Sequence, residues 1–136
     1  MDSDEIRTVK AFIAAINRAD ISAMTELMAE DHTCIVPDGT TVRGRDEVIA
    51  GWPGYFETFP DYRVDVEDIL QDGSLVAAFG SAFGTYNGKR GLVPENVIEM
   101  PAAWRAIVKD GKIELWQVYA DWSEGVRIFD EDSKSG

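Results

Sequence analysis

The chain has 136 residues, 45% hydrophobic and 28% charged, which is the composition of one ordinary globular domain. Its net charge of −12 repels phosphate backbones and anionic lipids, and no apolar run approaches the ~20 residues of a membrane span, so we expect neither nucleic-acid nor membrane binding. A single cysteine, Cys34, and a single histidine, His32, argue against a disulfide or a multi-ligand metal site, and the lack of an apolar signal core predicts a cytoplasmic protein.

Three helices are predicted in the N-terminal part of the chain. Ser3 is a candidate N-cap for the first helix, whose apolar residues recur at helical spacing. Asp20 caps a second, shorter helix, and a third runs from Asp46 to about Phe56 with a kink or break at Pro53-Gly54. We expect these helices to end near Arg18, Met28 and Glu57.

Strands dominate the rest of the chain. The segment HTCIV predicts a short first strand, and Asp72-Gly73 and Asp110-Gly111 each separate two strand-like runs, which is typical of hairpins. The pattern therefore predicts an α+β domain with a mainly antiparallel sheet. The glycine-rich residues 84–96 are interpreted as a long, mobile loop, and the acidic residues 129–136 as a frayed tail.

The second hairpin also predicts which side chains share a face of the sheet. With a two-residue turn at Asp110-Gly111, Lys109 pairs with Lys112, and the pairing counts back from there. One face then carries Met100, Ala102, Trp104, Gln117, Tyr119 and Asp121, and the other carries Arg105, Ile107, Glu114 and Trp116. The first face is rich in aromatic residues with a few polar groups, which favours a pocket between that face and the helices.

The order of the motifs resembles that of a known family. PDG, TVRGRDEVIAG, FPDYRVDVEDILQDGSLVAAF, GTYNG and VKDGKIELWQVYADW are similar, in order and spacing, to the SnoaL-like branch of the nuclear transport factor 2-like superfamily, from about Asp4 to Trp122. The resemblance implies one domain over residues 1–136 with a cone-shaped α+β fold, in which three N-terminal helices pack on a curved, mainly antiparallel sheet that encloses a pocket. It also implies a homodimer through the outer sheet face, where the register places Trp116 and Arg105.

Members of this superfamily include polyketide cyclases, steroid isomerases, epoxide hydrolases, dehydratases and many non-catalytic proteins, so the fold alone does not give a function. The steroid isomerases carry their base aspartate where Val36 stands here, which argues against that route. The histidine that assists the cyclases from the sheet has no counterpart in the two late strands.

Asp121, in the motif YAD, is the first candidate for catalysis. The resemblance matches it to the aspartate that acts as general acid and base in polyketide cyclases. The register places it on the aromatic face, where apolar walls would raise its pKa and let it take a proton from a carbon beside a carbonyl. The alternative is a strand-end aspartate that accepts hydrogen bonds from the backbone or from an indole N–H. If Asp121 lies outside the pocket, His32 and Tyr86 are the next candidates.

His32, Tyr119 and Tyr86 are further candidates. His32 either relays protons at the pocket mouth or binds free carbonyls at a helix end, and the second interpretation is favoured. Tyr119 and Tyr86 could donate hydrogen bonds to a substrate oxygen. Cys34 is interpreted as core filling.

The expected ligand is a small apolar or aromatic molecule that carries a carbonyl group. Eight residues are predicted to line its pocket: Val36, Trp52, Tyr55, Phe56, Phe59, Tyr86, Trp104 and Gln117. The leading hypothesis is a cyclase-type or isomerase-type enzyme that uses Asp121 for acid/base chemistry without a metal or an organic cofactor. The alternatives are a non-catalytic ligand-binding or accessory protein of the same fold and a dimerisation module.

Overall fold

Two helices open the chain in the computed structural model, which describes residues 1–135. Helix α1 spans Asp4–Asn17 and helix α2 spans Ile21–Leu27. Both predicted N-caps are confirmed, because the Ser3 hydroxyl accepts the N–H of Ile6 and the Asp20 carboxylate accepts the N–H of Ala23. The apolar stripe of α1 faces the sheet, and its buried residues include Val9, Phe12, Ile13 and Ile16.

Helix α3 spans Arg45–Thr58 and continues through Pro53. The predicted break at Pro53-Gly54 is therefore wrong. Both residues are exposed, so the proline ring meets solvent and only its own N–H is lost from the helix. The aromatic residues of α3 thus stay on one continuous helical face.

Six strands form one sheet in the order β2-β1-β6-β5-β4-β3. Within residues 1–135 all neighbouring strands are antiparallel except β1 and β6, which confirms a mainly antiparallel sheet. The strands are β1 (Met28–Ile35), β2 (Thr41–Arg43), β3 (Arg63–Asp72), β4 (Leu75–Thr85), β5 (Val97–Lys109) and β6 (Lys112–Ala120).

A bulge in β3 brings its backbone very close to β4. The pairing shifts by one residue between Val66 and Asp68, opposite Gly80. A Cβ at position 80 would lie 1.9 Å from the carbonyl oxygen of Asp65, so this approach requires a glycine. Bulges bend a strand and increase its twist, which suits a sheet that curves around the helices.

The turn of the second hairpin is as predicted, but the register beyond it is not. Asp110 and Gly111 have φ values of 52° and 73°, and Lys109 pairs with Lys112. Val108 then pairs with Ile113, but Ile107 pairs with Leu115, which leaves Glu114 as an extra residue in β6. Every later pair is displaced by one residue relative to the prediction.

This displacement reverses the faces of the predicted β6 side chains. Trp116 is 2% exposed and lies in the core, so its predicted place on the outer face beside Arg105 is wrong. Gln117 pairs with the exposed Arg105, and Tyr119 pairs with Ala103; both lie on the outer face. The predicted inward orientation of Gln117 and Tyr119 is likewise wrong.

A fourth helix, α4, spans Ser123–Ser133, where the sequence predicted a frayed tail from residue 129. Ile128 and Asp132 are buried, at 0% and 2% exposure. Gly125, Ile128 and Asp132 recur at helical spacing and form the buried face of this helix. The prediction failed because this pattern is short and the segment is rich in acidic residues, which are typical of an exposed tail. Gly136 lies outside the described residues.

The core fills the space between the concave sheet face and the helices. Its largest buried side chains are Trp104, Trp116, Phe12, Ile16, Met24 and Met28. Among residues 1–135, the helices are too short or too polar to cross a bilayer.

Candidate functional site

A small apolar cavity lies where the end of α3 meets the end of β4, the start of β5 and the second residue after β6, Trp122. Its volume is about 10 Å³, which is room for one water molecule at most. The lining residues are Tyr55, Phe59, Tyr62, Ala82, Phe83, Gly84, Ile98, Met100 and Trp122. The inside of the cone therefore has almost no free volume, and aromatic rings fill much of it.

Aromatic residues recur at helical spacing along α3 and its C-cap, and two of them, Tyr55 and Phe59, line the cavity. The Tyr55 ring lies 5.6 Å from Trp52 and 5.2 Å from Phe59, measured between ring centroids. Phe56 lies 5.3 Å from Trp52. Four of the predicted pocket residues are thus brought together on one helical face.

Two tyrosines lie in the wall of the cavity, and the surface that the wall presents to the cavity is apolar. The rings of Tyr55 and Tyr62 meet edge to face with centroids 4.9 Å apart. Burial raises the pKa of Tyr62 to about 12, and burial together with the neighbouring Tyr62 raises the pKa of Tyr55 well above its ordinary value. Both phenols stay protonated at neutral pH, so they can donate hydrogen bonds but cannot act as bases.

Cys34 lies nearby on the inner side of β1, paired with Trp116. Burial raises the pKa of its thiol to about 11. The thiol is therefore protonated at neutral pH and a poor nucleophile, which agrees with its interpretation as core filling.

Tyr62 was missed by the sequence analysis. It precedes Val64 and Val66 at the two-residue spacing of a strand, in the segment YRVDV, and this spacing puts all three on the inner face. The alternation is visible in the sequence, but it does not show that the inner face of this strand meets the cavity.

Asp121 lies at the surface. Its side chain is exposed and its Oδ1 accepts the N–H of Ser123 at 2.9 Å, in the first turn of α4. Hydrogen bonds from Ser123 hold the pKa of Asp121 below its ordinary value. The predicted place in an apolar cavity and the predicted raised pKa are both wrong, because the bulge in β6 and the start of α4 turn the carboxylate outward. Its role in proton transfer stays a prediction.

His32 lies deep in the core, at 1% exposure, with the Phe12 ring 6.2 Å away. Its Nδ1 is 2.7 Å from the carbonyl oxygen of Ile113 in β6. A carbonyl only accepts hydrogen bonds, so Nδ1 carries the proton in the neutral ring and Nε2 keeps its lone pair. Burial lowers the pKa of His32, which keeps the ring neutral at pH 7. Its partner is a strand carbonyl rather than a helix end.

The other predicted pocket residues are dispersed. Tyr86 is half-buried with its ring 6.1 Å from Phe59, at the edge of the cavity. Trp104 is 2% exposed, and Val36 follows β1 at 37% exposure; neither is among the residues that line the cavity. Gln117 and Tyr119 lie on the outer face.

Two aromatic residues from the C-terminal region complete the site and were not predicted. Trp122 lines the cavity, and Phe129 of α4 lies 6.3 Å from both Trp122 and Phe59. Within residues 1–135, no three His, Cys, Asp or Glu side chains come together in a way that could hold a metal ion.

The family model of the SnoaL-like domain matches residues 9–116. Among solved structures, IdmH of Streptomyces antibioticus, described as a candidate polyketide cyclase, is 27% identical with a TM-score of 0.78, over 94% of this chain and 99% of that chain. A candidate SnoaL-like polyketide cyclase from Shewanella denitrificans is 15% identical with a TM-score of 0.80, over 96% and 99% of the two chains.

A third solved structure is a protein from Catenulispora acidiphila with a ketosteroid isomerase-like fold, in complex with trimethylamine. It is 20% identical with a TM-score of 0.77, over 93% and 92% of the two chains. No curated protein matches the chain.

Proposed function

Since the chain belongs to the SnoaL-like domain family, we propose that it is a small-molecule enzyme of the cyclase or isomerase type. Its substrate would be a mostly apolar molecule with a carbonyl group, bound inside the cone. The observation that carries this proposal is the buried pair of protonated tyrosines, Tyr55 and Tyr62, in the wall of an apolar cavity.

The tyrosine pair suits chemistry at a carbonyl. Removing a proton from the carbon beside a carbonyl moves negative charge onto the oxygen, and donors held in a dry site stabilise that charge. Both phenols are fixed by edge-to-face packing, so little reorganisation is needed. Removal of one such donor in other enzymes slows the reaction by about 10²–10³.

Asp121 is the proton acceptor in this proposal. Its lowered pKa keeps it ionised at neutral pH, and it directly precedes the cavity-lining Trp122. In the closed cone the carboxylate is exposed, so as a base it depends on a change at the start of α4 that brings it to the substrate. His32, neutral and with a free lone pair on Nε2, is the alternative group.

A non-catalytic binding function is the second candidate. It is favoured by one observation: among the described residues that line the cavity, none carries a carboxylate. In that case the same tyrosines would anchor the carbonyl of a bound ligand without any proton transfer.

Deuterium exchange separates the two functions without knowledge of the natural substrate. We expect the protein in D₂O to accelerate deuteration of 2-tetralone at the carbons beside its carbonyl, as followed by NMR. Tyr55→Phe and Tyr62→Phe should each slow this exchange by roughly 10²-fold, because each removes one donor to the enolate oxygen. Tyr119→Phe removes the hydroxyl of an exposed tyrosine on the outer face and is the matched control.

Variants of the two proton acceptors complete this experiment. Asp121→Asn should slow the exchange by about 10²-fold or more and leave 2-tetralone affinity nearly unchanged. If His32 is the proton acceptor instead, His32→Gln should slow the exchange and Asp121→Asn should not. Binding of 2-tetralone without any acceleration would contradict the enzyme and favour the binding protein. Absence of binding would contradict both.

A further inference from the structure

Helix α4 packs on two of the side chains that line the cavity, although none of its own residues is in the described lining. Phe129 packs on Phe59 and Trp122, and Tyr86 lies 4.6 Å from Phe129 on its other side. Gly125 lets the helix approach closely, because a Cβ there would lie 2.4 Å from the Trp122 ring. A cavity that holds one water has no room for an organic substrate, so part of this wall has to move before a ligand can enter.

The polar contacts of α4 are concentrated in one place. Apart from bonds to its flanking residues Asp121, Trp122, Lys134 and Ser135, every hydrogen bond between α4 and the rest of the described chain goes to the loop of residues 86–96. Asp132 accepts the N–H groups of Lys89 and Arg90 at 2.7 and 2.9 Å and the Asn96 amide at 3.1 Å. A single carboxylate thus receives most of these bonds.

The loop, in contrast, is attached to the body of the cone. The Asn87 N–H donates to the carbonyl of Thr58 at the end of α3, at 2.8 Å, and the Tyr86 N–H donates to the carbonyl of Asn96. Asn96 is fully buried and its amide also donates to the carbonyls of Tyr86 and Gly91. The loop predicted to be mobile is therefore a cradle with its own internal bonds, into which the Asp132 carboxylate fits.

We propose that α4 is a lid over the cavity and that Asp132 is the latch that holds it shut against the loop of residues 86–96. The lid hinges after β6, at Asp121 and Trp122. Its opening breaks the Asp132 bonds, withdraws Phe129 from Phe59 and exposes the tyrosine pair. This proposal rests on the proposed function for the identity of the ligand that enters the cavity. The opening of α4 itself does not depend on any ligand.

Hydrogen exchange tests the opening directly. In the wild-type protein, the N–H groups of Ile128 and Phe129 should exchange through a local opening, faster than those of Trp104 and Ala106 in β5. Asp132→Asn replaces an acceptor oxygen with an NH₂ group that faces backbone donors, so it should speed exchange in α4 by roughly tenfold or more and leave β5 unchanged. Asp130→Asn, an exposed carboxylate of the same helix, makes the same charge change and should have no such effect.

Equal exchange of α4 and β5 in the wild-type protein would overturn the lid, and this comparison holds even if the variant folds poorly. The lid would also be overturned if Asp132→Asn accelerated hydrogen exchange equally in α4 and β5, or if it accelerated exchange in neither element.

Ligand entry is tested with 2-tetralone in stopped-flow tryptophan fluorescence. Asp132→Asn should raise the association rate about tenfold, whereas Asp130→Asn should leave it unchanged. An unchanged association rate with altered affinity would overturn the gating role of α4. If α4 opens locally but 2-tetralone binds to neither protein, the lid stands and the proposed function fails.

Discussion

At the scale of single residues, two aspartates exchanged the places that the sequence suggested for them. Asp121 was expected in an apolar pocket and is exposed, whereas Asp132 was expected in a frayed tail and is 2% exposed. The motif around Asp121 can be recognised from neighbouring residues, but the direction of the Asp121 side chain depends on a bulge seven residues earlier in β6. The burial of Asp132 depends on Lys89, Arg90 and Asn96, which lie about 40 residues away along the chain. The residues around Asp132 in the sequence do not indicate such distant partners.

The pH dependence of stability reports on Asp132. Burial by itself would raise the pKa of Asp132, but the hydrogen bonds from Arg90, Asn96 and Lys89 outweigh this and hold it below the ordinary value of 3.8. The bonds therefore contribute stability fully above the unfolded-state pKa, and that contribution is lost as the pH falls through the folded-state pKa.

We expect the free energy of unfolding to fall more steeply below about pH 4 in the wild-type protein than in Asp132→Asn, as measured by urea denaturation at a series of pH values. Asp130→Asn is the control and should keep the wild-type slope. Parallel curves for Asp132→Asn and wild type would contradict the folded-state bonding of this carboxylate.

At the scale of elements, the shape of the sheet depends on places where the regular pattern is interrupted. The extra residue Glu114 in β6 and the bulge opposite Gly80 in β3 decide which side chains point into the cone. The turn at Asp110-Gly111 could be predicted because two residues with positive φ are a local requirement, whereas the first hairpin turns at Gly73-Ser74, one residue later than predicted. The bulges could not, since they depend on how neighbouring strands fit.

Gly80→Ala tests the close approach of β3 and β4. The added Cβ would lie 1.9 Å from a backbone oxygen, so the strands must separate, and we expect a loss of about 1–3 kcal/mol in the free energy of unfolding. Gly51→Ala is the matched control: this helical glycine has no atom within 4 Å of its Cβ position, so the change should stabilise by about 0.5–1 kcal/mol. Equal stability of Gly80→Ala and wild type in urea denaturation would contradict this account.

At the scale of the whole molecule, the outer sheet face carries an apolar row. Phe79 pairs with Ala103, which pairs with Tyr119, and these residues cross β4, β5 and β6 side by side. Phe79 and Tyr119 are 43% and 48% exposed, and Leu70 on the adjacent strand is 63% exposed. We propose that this exposed row is the interface of a homodimer, in which Tyr119 takes the place first expected for Trp116.

Light scattering at micromolar concentration should therefore report twice the mass of one chain. Phe79→Asp places a charge in the middle of the row and should give a monomer. Leu92→Asp is the control, because this residue, 59% exposed, lies on the loop of residues 86–96, away from the sheet, and should leave the dimer intact. A monomeric wild-type protein would contradict the proposed interface.

Features that depend on neighbours a few residues apart could be predicted from the sequence: the helix caps at Ser3 and Asp20, the aromatic face of α3 and the turn at Asp110-Gly111. The order of its motifs also determined the α+β cone and the family. Only the tertiary structure decided which residues face the cavity, because one extra residue in a strand reverses the direction of every side chain beyond it. It also decided that the C-terminal segment is a helix over the site, since the partners of Asp132 and Phe129 lie far away along the chain.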